Sequence, residues 1–127
     1  MTIERMMDDK GVENLCVGIV EQAVEDYFGS RFRYDTASLR PHISDKRNQY
    51  YQNEQARKRD EIEHFFKSDW FRMIAGYRLP DNPMKYLDRR YREEIFMEKL
   101  KPFKTRYGTQ LNPIKLAIIT QFIVGGD

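Results

Sequence analysis

This chain has little of what most reaction chemistry requires. Among its 127 residues there is one cysteine, Cys16, and there are two histidines, His42 and His64. A single cysteine excludes an internal disulfide and a thiolate metal cluster. Cys16 lies in an apolar run with no base or cation near it in sequence, so it reads as a buried, inert thiol. Glu61 and His64 stand three residues apart and could share a helix face, but two ligands are too few to hold a metal, and His42 follows Pro41 in a poorly patterned stretch. No metal or cofactor site is therefore expected. The glycines are scattered: Gly76 and Gly108 stand alone and Gly125 and Gly126 close the sequence, which leaves no phosphate-cradling loop and no nucleophile elbow.

Long apolar runs are missing as well. The longest block covers residues 116–119, far short of the roughly 18 apolar residues that a membrane span needs. The opening stretch, MTIERMMDDK, mixes acids with bases and lacks the apolar centre of a signal peptide. These absences lead to the expectation of a cytoplasmic protein without a membrane partner. What is present suits a folded domain: 40% hydrophobic, 13% aromatic and 33% charged residues are too apolar for disorder and too charged for lipid. The length fits one domain over 1–127, with residues 1–11 expected as a flexible lead.

Periodicity makes this domain mainly α, a bundle of four to five helices with room for one short strand or hairpin. Val12, Leu15, Cys16, Ile19, Val20, Ala23, Val24 and Tyr27 recur at threes and fours, which predicts a helix over 12–28 with Gly29 as its stop. Residues 30–43 read as a loop, where Phe32 and Tyr34 alternate with charged neighbours as a short strand would. Ser44 is a good N-cap for a long second helix to Lys67, polar and projecting in its first half and anchored by Ile62, Phe65 and Phe66 in its second. Ser68 and Asp69 can cap a short helix closed by Gly76. After a turn over 79–83, Asn82 and Pro83 open a helix to about residue 100 that buries Met84, Leu87, Tyr91 and Ile95 and ends before Pro102. Asn112 and Pro113 repeat that start signal ahead of IKLAIITQFIV. Ile114, Ala117, Ile118 and Phe122 there share a helical face, although the β-branched content also admits a buried strand.

The stretch over 61–75, EIEHFFKSDWFRMIA, carries an FF-x-S-D-W-F core formed by Phe65, Phe66, Ser68, Asp69, Trp70 and Phe71, and Ala23 to Tyr27 spell AVEDY. At these segments the sequence resembles small proteins of phages, prophages and conjugative elements of Gram-positive bacteria, the likeness as a whole covering about a third of the chain. The resemblance implies a mobile-element origin and assigns no reaction. By their own chemistry Phe65, Phe66, Trp70 and Phe71 are large apolar groups at a helix corner, read first as core and second as a partner pocket.

Charge points to partners. The net +2 conceals an acidic start, −5 over residues 1–30, and a basic body, +7 over 31–127, a balance consistent with a nucleic-acid or nucleoprotein partner. Arg57, Lys58 and Arg59 lie midway along the second helix, and Lys85, Arg89, Arg90 and Arg92 lie on a later one with Tyr86 and Tyr91 interleaved. Arginine beside tyrosine suits phosphate contact and base stacking; pairing with Asp60, Asp88, Glu93 and Glu94 on solvated faces is the competing reading. Three functions remain on these grounds. The first is a non-enzymatic mobile-element accessory protein that docks on a host or element nucleoprotein, with an inhibitor of a CRISPR effector as its sharpest form. The second is a DNA-binding transcriptional or recombination regulator. A metal-dependent nuclease comes last, because acids such as Glu61, Asp69, Glu93 and Glu94 show no recognisable ligand spacing.

Overall fold

The computed structural model describes residues 10–41, 43–75 and 82–125. The first helix, α1, runs over Lys10–Asp35, starting inside the stretch expected to be a flexible lead and continuing well past Gly29. The expected stop and loop over 30–35 are thus corrected to helix. A mid-helix glycine costs only about 1 kcal/mol, and burial of Phe28 and of the Phe32 ring, which meets Phe96 and Phe103 at 5.7 and 5.6 Å, offsets it. The five-residue alternation that resembled a strand is outweighed by a spacing of four, Tyr27–Arg31–Asp35, that lines one helix face. Beyond Asp35, Thr36 closes the helix by donating from both its amide and its hydroxyl to the Phe32 carbonyl, at 3.0 and 2.7 Å. A 3₁₀ turn, Ala37–Leu39, then buries both its ends. There is no strand among the described residues.

Helix α2, Asp45–Phe66, begins where the Ser44 hydroxyl accepts from the Arg47 amide at 3.2 Å. It returns antiparallel along α1, as its contacts show. Gln52 donates to the Tyr34 carbonyl at 3.3 Å and Arg33 to Gln55 at 3.1 Å, while Ile62 and Phe65 reach Ile19 and Ala23 near the far end. The polar first half of α2 therefore does not project as expected. It is seated on the last third of α1 by side-chain amides, with Gln55 only 3% exposed, although Tyr50 does face solvent. A hydrophobicity pattern misses such a seat because amides, not apolar groups, make it.

The short α3, Asp69–Ala75, turns off at the corner where Ser68 accepts from the Phe71 amide at 3.1 Å and donates to the Phe65 carbonyl at 2.6 Å. Phe65, Phe66 and Phe71 form a mutual edge-on cluster there, with centroids 5.0 to 5.6 Å apart. Gly76, the turn residues 79–81, His42 and Gly126 lie outside the described residues, as do residues 1–9 of the expected lead.

One continuous helical run follows: α4 over Pro83–Arg90, a π-helical turn over Tyr91–Ile95, and α5 over Phe96–Tyr107. Asn82 caps it, accepting from the Lys85 amide at 3.2 Å. The expected end before Pro102 is corrected. Proline removes the backbone donor that would reach the carbonyl four residues back, that of Glu98, and both residues are exposed. Beyond it Phe103 is held by Phe32 and by Tyr107, at 4.8 Å. The run stops at Gly108, whose φ of 53° suits glycine alone without strain.

The π turn sets which residues enter the core. Leu87, Tyr91, Phe96 and Leu100 are each 0% exposed, at spacings of four, five and four. The fifth residue is the one a π turn adds. Ile95 and Met84, expected inside, are only partly buried and pack at the edge. The last helix, α6 over Pro113–Val124, is capped by Asn112, which accepts from the amides of Ile114 and Lys115 at 3.0 and 3.2 Å. No helix among the described residues is long and apolar enough to cross a membrane.

Candidate docking face on the last helix

Helix α6 is apolar on two sides and buries one. Leu116, Ile119 and Ile123 turn inward, Ile123 being 1% exposed. Ile114, Ile118 and Phe122, four residues apart, are 71%, 63% and 71% exposed. The sequence correctly groups these three with Ala117 on one face, but that face points to solvent. A helix hydrophobic all round is ordinarily buried all round, and contiguous exposed apolar surface marks an interaction site. The stripe contains no charge, and Lys115 is the one charged residue of the helix.

The C-terminal end of α6 is held by a polar contact as well. Arg92 reaches from the π turn to the carbonyls of Phe122 and Ile123, at 3.4 and 3.5 Å, satisfying carbonyls that a helix C-terminus leaves open. Its Nε is held by Asp88 at 3.2 and 3.3 Å. Asp88 also accepts from Arg31, which donates in addition to the Tyr27 hydroxyl at 3.2 Å and lies 4.3 Å above the Tyr91 ring. Tyr91 in turn donates to Asp35 at 2.7 Å. Burial opposes the charge of Arg31, but its hydrogen bonds to Tyr27 and Asp88 and the field of Asp35 outweigh that, so its pKa moves up and it stays a cation. Burial raises the Tyr91 hydroxyl far above its usual range, and the Asp35 charge adds to the effect.

Burial also raises the Asp35 carboxyl, and this outweighs the Tyr91 hydrogen bond and the nearby arginines. Because the folded carboxyl binds its proton more readily than the unfolded one, its contribution to stability is greatest at low pH. That contribution falls as pH rises from the ordinary carboxylate range through the raised folded value. Asp35→Asn keeps an acceptor for Tyr91 but cannot titrate. The difference in unfolding free energy between variant and wild type should therefore shift in favour of the variant across that interval. Urea titrations at a series of pH values check this, and parallel curves for the two proteins would contradict it.

The basic residues singled out in the sequence do not form one surface. Arg57 is exposed and bridges Glu54 and Glu61 at 2.9 and 2.6 Å, which depresses the Glu54 carboxyl and raises Arg57. Lys58 is exposed, whereas Arg59 turns toward α1, with its guanidinium 5.3 Å from the Tyr34 ring. Three consecutive helical positions lie about 100° apart and cannot share a face. On the later helix Arg92 turns inward to Asp88 and α6, and Arg90 pairs with Glu94 at 3.5 Å. Arg89 lies exposed beside the half-buried Tyr86, and Lys85 is exposed at the start of α4. Of the aromatic set, Phe66 and Phe71 are buried and Phe65 is partly so, but Trp70 is 51% exposed. Among the described residues no three His, Cys, Asp or Glu side chains converge as a metal site would require.

Sequence reading gave no role to Arg31, Asp35 or Gln55, and it placed Asp88 only as a partner of arginines on its own helix, which its bond to Arg92 matches and its bond to Arg31 exceeds. The signal for the first two was the fourfold spacing from Tyr27, hidden once a helix end was placed at Gly29. The chain matches no protein-family model, no curated protein and no solved structure. Its function is therefore argued from its own surface chemistry.

Proposed function

We propose that this protein is a non-catalytic accessory protein of a phage or integrative element that docks α6, helix face first, into an apolar groove on a protein of a host or element nucleoprotein complex. The observation that carries this reading is the exposed stripe Ile114–Ile118–Phe122. Anchors at i, i+4 and i+8 are the pattern by which one helix face fills a hydrophobic groove. Charge indicates the rim: Lys115 and the +7 body favour acidic residues around that groove. Counter-defence by occupying an effector is the sharpest form of this reading. A DNA-binding regulator draws less support, since Arg57, Arg90 and Arg92 are engaged by acids and Arg59 faces α1.

The test uses the full chain and a variant carrying Ile118→Glu and Phe122→Ser. Both positions are exposed, so the variant should keep its helical content and melting temperature. Partners recovered from a nuclease-treated lysate of a Gram-positive host are purified and rebound. Fully burying each anchor contributes about 1.5–3 kcal/mol, so the double variant should bind the purified partner at least about 100-fold more weakly. Unchanged affinity would remove α6 from the interface. A concentration-dependent dimer of the wild type, lost in the variant, would assign the stripe to self-association instead.

A further inference from the structure

Away from the α6 stripe, the start of α4 faces α1 and α2 across a cavity of about 600 Å³. Four cations line it: Arg31 from α1, Arg59 and Lys67 from α2, and Lys85 from α4. Two acids share the lining, and neither neutralises the set. Asp88 already serves Arg31 and Arg92 together, and Glu63 makes only a loose ion pair with Arg59, 3.9 Å from its Nε, so the lining keeps an excess of positive charge. Lys67 and Lys85 are exposed and have no acid partner among the described residues.

A second observation is independent of that charge balance. Arg31 is only 7% exposed, yet its Nε is buried without an acceptor, and the Nε of Arg59 is in the same condition. An unsatisfied buried donor on a charged group is costly, so it calls for an explanation in the site's chemistry. The N-terminus of α4, which opens onto the same cavity at Asn82, adds the positive end of a helix dipole. Under-satisfied guanidiniums, free ammonium groups and a helix start are the donor set that proteins use for phosphoryl groups.

We infer that this cavity binds the phosphate or pyrophosphate group of a small ligand. Arg31 and Arg59 set the positive charge of the cavity wall from two helices that pack against each other, and Lys67 and Lys85 close on the anion from the rim. The cavity, open to solvent, has room for more than the anion. This inference does not depend on the α6 face, since no α6 residue lines the cavity.

Pyrophosphate is the probe, titrated into the full chain at constant ionic strength and followed by calorimetry and by the Arg31 Nε–H resonance. Lys67→Ala with Lys85→Ala leaves the core untouched and should weaken pyrophosphate by about tenfold or more. Lys46→Ala with Lys101→Ala, which removes the same charge from exposed positions elsewhere, should leave the affinity unchanged. In the wild type the Arg31 resonance should move to saturation with a single site. Equal weakening in both double variants, or binding no tighter than that of chloride, would overturn the site. A single-stranded oligonucleotide that displaced pyrophosphate at far lower concentration would overturn the small-ligand assignment and give the cavity to a nucleic-acid backbone.

Discussion

Asp88→Ala is expected to lower the unfolding free energy by about 2 kcal/mol, because it deprives the Arg31 guanidinium, with a side chain only 8% exposed, of a carboxylate that is itself 43% exposed and partly screened by solvent. The loss is not that of a surface ion pair. Arg92 is released at the same time, and with it the hold on the last carbonyls of α6. The effect should shrink when the buried charge goes too: in a double variant with Arg31→Met, part of the lost stability returns, since a buried pair removed together is far less damaging than one broken. A double-mutant cycle by urea unfolding, followed by circular dichroism, measures the coupling. A loss below about 1 kcal/mol for Asp88→Ala, typical of an exposed pair, would show that Arg31 is not sustained by this contact.

Phe96→Ala should destabilise the fold by about 3–5 kcal/mol, and Ile95→Ala by clearly less. The contrast tests the π turn directly. Phe96 is fully enclosed, with its ring 6.0 Å from that of Tyr91 and 5.7 Å from that of Phe32, whereas Ile95 packs at the periphery. In an uninterrupted α-helix from Leu87 through Tyr91, the next inward position would be Ile95. The order of the two losses therefore reports the register in solution, and a greater loss at Ile95 would exclude the extra residue at 91–95.

Much of the helical framework was legible in the sequence because its signals are local. Ser44, Ser68, Asn82 and Asn112 were each readable as caps, and each accepts a backbone amide at the start of its helix. Stops were less legible. Gly29 and Pro102 looked like ends, but the helices continue through both to seat Phe32 and Phe103 just beyond them, and that packing depends on partners far away in sequence. The site was the least legible part. Arg31 and Asp88 are 57 positions apart, and nothing near either marks it as the other's partner.

The sequence by itself determined that this is a mainly helical domain, where the capped helices begin, and that Ile114, Ile118 and Phe122 share one face if the last segment is a helix. Only the tertiary structure decided which way that face points, that Phe96 rather than Ile95 enters the core, and that the basic residues divide among a clamp on α6, surface ion pairs and a cavity. The physical reason is one of range. Caps and periodicity act within a few residues, whereas burial and charge neutralisation depend on which distant surfaces meet, and a helix that is apolar on two sides does not itself specify which side the core will take.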